Sequence, residues 1–166
     1  LGLDSFTIRN LEIFHSLSGL QRGTLIDVID RTITPMGSRQ LKSWIKRPLN
    51  SVKGIKARQK KVTEYYKKNE IRCKTVDILH EVSDIDRIIA RLSTNKSNPR
   101  DLINLLISLR AIDRLKKITL NESKEILKLL KKSTNLSKLC KEIEKTVKNN
   151  APSNFIKGGY INDGFS

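Results

Sequence analysis

Apolar residues recur at alternating three- and four-residue steps along most of this chain, and that spacing restricts it to packed helices. The spacing sits between clear start and stop signals. Thr34-Pro35 opens one helix: the threonine oxygen accepts from a free backbone N–H, and proline at the first helical position loses no hydrogen bond. That helix runs to about Lys46, with Met36, Leu41, Trp44 and Ile45 expected on its buried side. Arg47-Pro48 ends it, because the residue before proline is pushed out of the helical region. Ser51 caps the next helix, to about Lys68, whose stripe is Val52, Ile55, Gln59, Val62 and Tyr66. Asn98-Pro99 repeats the cap-plus-proline signal. The helix after it extends to Lys117, about 30 Å at 1.5 Å per residue, with Leu102, Leu105, Leu106, Leu109, Ile112 and Leu115 as its apolar side.

Shorter segments fill the gaps. Asp4 to Phe14 reads as a helical turn leading into an extended stretch, and Ser16 to Gly23 as a loop. Thr24 caps a short helix, Leu25 to Asp30, with Leu25, Val28 and Ile29 on one side. A further helix covers Glu70 to His80. Ser83 caps another, with Ile85, Ile88, Ile89 and Leu92 on one face, and a polar loop follows from Ser93 to Asn98. Asn121 opens a helix bearing Ile126, Leu127, Leu129 and Leu130, and Leu136, Leu139, Ile143 and Val147 mark the last one before Pro152. Phe155 to Phe165, around Gly158-Gly159, alternates enough to suggest a small β-hairpin or edge strand. The expectation is an all-α, elongated antiparallel helical bundle with short loops, without a repeat of solenoid period.

At 166 residues the chain is long enough for one domain with a real core. It starts at Leu1 and stops after Asn162-Asp163-Gly164, which reads as a segment of a longer polypeptide. No apolar run approaches the ~20 residues of a membrane span, and no export signal is visible, so a cytoplasmic location is expected. Cys73 and Cys140 lie far apart without metal-ligand spacing and are expected to be free thiols.

The 33 Lys and Arg against 17 Asp and Glu give a formal charge of +16. A charge of this sign suits phosphate neutralisation and counterion release. It also suits an AT-rich coding sequence, since Lys, Ile and Asn supply 53 of the 166 residues. The net charge is +3 over residues 1–50, +7 over 51–100, +6 over 101–150 and zero after that, so it is not gathered in one arm. Weak, salt-sensitive affinity for DNA is expected from such a field.

Signals for catalysis are missing. Gly19 to Gly23 holds two glycines without the Lys-Ser/Thr that a phosphate-binding loop needs. No local pattern suggests a nucleophile with its base. Asp84 and Asp86 have the look of a metal pair, but carboxylates favour helix N-termini and a solvated helix start accounts for them. No catalytic, cofactor-binding or metal-binding residue is assigned, and which residues touch a DNA backbone, if any, stays open.

Residues 23–49, GTLIDVIDRTITPMGSRQLKSWIKRPL, carry a more specific signal. They resemble the lever-domain signature of MutS proteins through Gly23, Thr24, Leu25, Asp30, Thr32, Thr34, Met36, Gly37, Arg39, Leu41, Trp44, Pro48 and Leu49. Three more pieces agree in order and spacing. LDSFTIRNLEIF (3–14) is similar to the family's opening segment. IKARQKKV (55–62) is similar to its Ile-x-x-Arg-Gln-x-x-Val element, which contains Arg58. DIDRIIARLSTNKSNPRDL (84–102) supplies Asp84, Arg87 and Arg91, then Pro99, Arg100 and Asp101. The final FIKGGYINDGFS fits the family's closing stretch, with Phe165 where tyrosine is usual. Residues 111–150 match in helical character alone.

The resemblance implies that residues 1–166 are the first segment of a helical lever, or core, domain joining a DNA clamp to an ATPase domain. The clamp, the returning lever helices and the ATPase would lie outside this chain. It implies a parent that binds mismatched duplex DNA, uses ATP and Mg, acts as a homodimer and recruits a downstream repair factor, in the cytoplasm or on the nucleoid. The segment itself would need no cofactor and would not be an enzyme. Two alternatives stay open: a MutS paralogue acting on branched recombination DNA, and a stand-alone basic helical module for nucleic acid. Within the motif, Trp44 is expected in the core, Gly37 to permit close helix packing, and Arg39, Arg87, Arg91 and Arg100 to hold helix junctions beside Asp30, Asp84, Asp86 and Asp101.

Overall fold

A computed structural model describes residues 2–19, 22–119, 136–153, 155–156 and 158–165. The chain is all-α and forms two compact units, Leu1–Thr63 and Glu64–Ser166. Among the described residues the helices are α1 (Ser5–Asn10), α2 (Leu25–Ile29), α3 (Pro35–Lys46), α4 (Val52–Lys67), α5 (Asn69–Leu79), α6 (Ile85–Ser93), α7 (Pro99–Thr119) and α8 (Ser137–Thr146). The helix expected from Asn121 lies outside the described residues.

The first unit begins with α1, whose N-cap Asp4 accepts from Thr7 N at 2.8 Å. The chain then turns rather than extending as expected. Glu12 takes a left-handed φ of 47° and its carboxylate accepts from Leu17 N. Two backbone bonds, Leu25 N to Glu12 O and Ile26 N to Ile13 O, seat α2 on this turn. Ile13 and Ile26 are buried there, while Leu25, Val28 and Ile29, the expected inner side of α2, are exposed. On a five-residue helix the inward face is set by these two bonds, and a stripe of three residues is too short to override them.

The α4 stripe also departs from expectation. Val52, Ile55, Val62 and Tyr66 are exposed, Tyr66 at 77%, and α4 has no buried residue. The side of α4 with less exposure carries Gly54, Arg58, Lys61 and Tyr65. In a helix these positions lie about a quarter-turn from the apolar stripe. The stripe is real as a pattern, but nothing among the described residues covers it.

The second unit is built around α7, which packs against α5, α6 and α8. It extends two residues past Lys117 to Thr119 and is buried on most sides, with Ile103, Leu105, Leu106, Leu109, Ala111 and Leu115 all inside. A helix covered all round has apolar residues off any single stripe, which is why Ile103 and Ala111 were not foreseen. Ile88 of α6 and Cys140 and Ile143 of α8 complete the main cluster. Ile89 and Leu139, each expected inward, are exposed.

Among the described residues, the expected β-structure near the C-terminus takes the form of one antiparallel bridge, Val147 with Ile161. Lys148 N donates to Tyr160 O and Asn162 N to Thr146 O, both at 2.9 Å. The pairing therefore ties the end of α8 to the C-terminal segment, instead of closing a hairpin within 155–165. Buried Val147 and Ala151 pack with Ile103 beneath it. No described helix is long and apolar enough to cross a membrane.

Candidate functional site at the helix junctions

The motif residues gather at two junctions, one in each unit. In the first, Asp30 ends α2 and organises the start of α3. Its carboxylate accepts from Thr32 N (3.1 Å), Thr32 Oγ1 (2.6 Å) and Ser38 Oγ (2.6 Å). The Ser38 bond, then the Thr32 bond, hold its pKa below the usual carboxylate range. Thr34 caps α3 by accepting from Gly37 N at 3.1 Å, with Pro35 at the first helical position. The upstream junction repeats this device: fully buried Thr24 accepts from Asp27 N, and Asp27 accepts in turn from Gly23 N. Gly23 sits at φ +84°, a conformation other residues resist.

Gly37 has a different role from the helix packing expected of it. A β-carbon there would lie 3.1 Å from Thr34 Oγ1 and 3.3 Å from Thr32 Cβ. The glycine makes room for the junction's own side chains, not for another helix. Trp44 is likewise not in the core. It is 43% exposed, and the Arg58 guanidinium lies over its ring, 4.1 Å from the centroid. Met36, Leu41 and Pro48 are half-buried and Arg39 is exposed. Beside this junction an open cleft of about 650 Å³ is lined in part by Phe14, His15, Asp30, Lys42 and Lys46. Lys46 Nζ sits 5.2 Å from the Phe14 ring centre.

In the second unit, Asp84 caps α6 by accepting from Arg87 N, and its side chain faces Arg87 Nε at 3.4 Å. The cap is Asp84, one residue after the expected Ser83. Ser83 instead donates its N–H to Ser108 Oγ at 3.0 Å. At the far end of α6, Arg91 grips Asp101 with a two-pronged fork, Nε to Oδ2 at 2.9 Å and Nη2 to Oδ1 at 2.5 Å. Asp101 also accepts from Asn98 N, while Asn98 Oδ1 accepts from Asp101 N. The Arg91 bonds are the largest cause holding the Asp101 pKa below its ordinary value, and the same pair raises Arg91. Pro99 is buried beside this node and Arg100 is exposed. Asp86 is exposed on the first turn of α6.

Of the four expected arginine anchors, Arg91 joins two helices and Arg87 closes a local cap. Two long-range ties were not foreseen: Arg114 of α7 with Glu81 in the turn after α5, and Arg110 of α7 with Glu144 of α8. The i, i+4 arginines on α7 were visible in the sequence, but partners more than thirty residues away carry no local signal.

The junctions hold carboxylates that are engaged, not poised. Among the described residues no group of three or more His, Cys, Asp or Glu is placed to hold a metal. Cys73 is exposed and Cys140 buried, both as free thiols, and burial pushes the Cys140 thiol up. What this geometry does is fix the angles at which helices leave each corner.

A family model for MutS domain III matches residues 6–163. The chain belongs to the MutS domain III family. Curated MutS relatives agree along nearly the whole chain. It is 39% identical to the DNA mismatch repair protein MutS of Christiangramia forsetii over 99% of its length, covering 19% of that protein. For the protein of the same name from Methanothrix thermoacetophila the figures are 36%, 99% and 20%. For that from Parabacteroides distasonis they are 37%, 98% and 19%. This MutS domain III chain thus spans about a fifth of the relatives it matches. Both junctions fall inside the matched range, and so does the α7 core that joins the helices around them in the second unit.

Proposed function

We propose that this chain is a lever segment of a DNA mismatch-repair protein, carrying displacement between a DNA-holding clamp and an ATPase domain elsewhere in the polypeptide. The single observation behind this reading is the match to MutS domain III across 6–163, in relatives named for mismatch repair. The build of the second unit suits the role. A 21-residue helix packed by three others, with cross-helix charge ties, transmits a push as a body because close-packed interiors do not deform continuously.

On this reading the parent binds mismatched duplex, ATP and Mg, works as a homodimer, recruits a downstream repair factor and resides in the cytoplasm or on the nucleoid. The segment contributes mechanics and does no chemistry. The test is ATP turnover and mismatch discrimination by the purified 166-residue chain beside the full-length protein. The lever reading expects both activities in the full-length protein and neither in the chain. Turnover by the chain that a point substitution within it abolishes would overturn the assignment.

A further inference from the structure

The ties to α7 from α6 and from the segment just before it run in antiparallel order. Arg91, near the end of α6, holds Asp101, near the start of α7. Eight residues back, Ser83 N reaches Ser108, seven residues further along α7. The step on α7 is about 10 Å at 1.5 Å per residue, and Ser83 lies two residues before the first residue of α6. Glu81, earlier still, pairs with Arg114, later still. Between the two inner ties lies Ile88, buried in the α7 cluster. The short ties are hard to stretch. The fork has prongs of 2.9 and 2.5 Å on a carboxylate that is 4% exposed. Ser108 is fully buried, and its hydroxyl also donates to Asn104 O at 2.7 Å.

We infer that α6 and α7 form a shear-locked pair, pinned by Arg91 near the end of α6 and by Ser83 in the segment just before it, and that Arg91 and Asp101 are positioning residues for transmission through it. Packed helices usually accommodate conformational change by sliding roughly 1–2 Å past one another. A slide of that size here lengthens the fork and the Ser83–Ser108 bond together, taking the arginine from a buried carboxylate and the acceptor from the Ser83 N–H. Displacement that reaches one helix of the pair therefore passes whole to the other. This inference rests on the lever reading for its functional half.

The experiment uses the full-length protein, freed of other reactive thiols, with nitroxide labels at Ala90→Cys and Ile107→Cys, both exposed. The label separation is measured alone, with ATP, and with mismatched duplex. One unchanged distance in all three states is expected. In Asp101→Asn the distribution should shift or broaden on adding ATP or duplex, and the response of ATP turnover to mismatched duplex should fall severalfold. Leu109→Val, a core substitution in the same unit, serves as the stability control, with Asp101→Glu as a second clasp variant if Asp101→Asn fails to fold. Assays run at a temperature where all are folded. A distance change of about 2 Å or more in the unmodified pair, on the scale of helix sliding, overturns the lock. A clasp variant that behaves like Leu109→Val overturns the positioning role. A parent protein whose ATP turnover ignores mismatched duplex sinks the lever reading instead and leaves the distance result standing.

Discussion

Arg58 of α4 covers the ring of Trp44 on α3 at 4.1 Å, so the only tryptophan in the chain is held from outside by a cation. Such a contact at a partly exposed site is worth about 0.5–1 kcal/mol. Arg58→Ala should lose about that much stability and shift Trp44 emission to the red, because the indole gains water. Arg58→Lys should recover part of it, since lysine keeps the charge but not the flat stacking surface. Unchanged emission in Arg58→Ala would show that the ring does not depend on the guanidinium.

The two helical glycines of the first unit should respond oppositely to alanine. At Gly37 the new methyl meets Thr34 Oγ1, held by its cap bond, and Thr32, held by Asp30. Neither neighbour can give, and overpacking costs of about 1–3 kcal/mol exceed the roughly 1 kcal/mol gained in helix propensity. At Gly54 the nearest atom is Leu49 Cδ1 at 3.3 Å, the free end of a flexible side chain. Gly54→Ala should therefore stabilise by up to about 1 kcal/mol. Thermal melts of both variants check the pair of signs.

Acid should weaken the second unit through Asp101. Its native pKa is lowered by Arg91 and by the Asn98 N–H. The unfolded chain takes up the proton first, at roughly pH 4. This contribution is thus complete above that pH and disappears as pH falls through the lower native value. Melts of the native chain and Asp101→Asn from pH 7 to pH 3 should show a gap that is constant near neutrality and narrows below pH 4. A gap of constant width throughout would mean that the carboxylate charge does not matter.

The uncovered line on α4 should make the isolated chain self-associate. Val52, Val62 and Tyr66 lie on one side of a helix with no buried residue, and open apolar patches of this kind drive association. Sedimentation at rising concentration should show oligomers, and Val62→Lys should shift the profile towards monomer. A monomer at high concentration would count against it.

Helix boundaries were legible because their signals are local. Thr34-Pro35 and the Arg47-Pro48 stop place α3 within its observed bounds, and Asn98-Pro99 marks the start of α7. Facing was less legible, because it depends on what else is present. The stripe of α4 has the same spacing as a buried one, yet stays open. Trp44 was misplaced for a related reason: an aromatic at a helix end can be covered by a side chain from another helix as well as by a core. Of the junction residues, Asp30, Thr34 and Asp101 stand within ten residues of their partners and could be read from sequence order. Ser108 could not, since its partner Ser83 lies 25 positions away and neither serine has a distinctive neighbourhood.

The pairing of Arg91 on α6 with Asp101 on α7 restricts how related chains can vary in length. Adding one residue within α6 ahead of Arg91 rotates everything beyond it by about 100°, turning Arg91 away from Asp101 unless α7 gains a residue at the facing position. Insertions and deletions within 83–108 should therefore be rare among relatives, confined to the turn between the helices, or found in compensating pairs, while single-residue replacements on the outer faces accumulate freely.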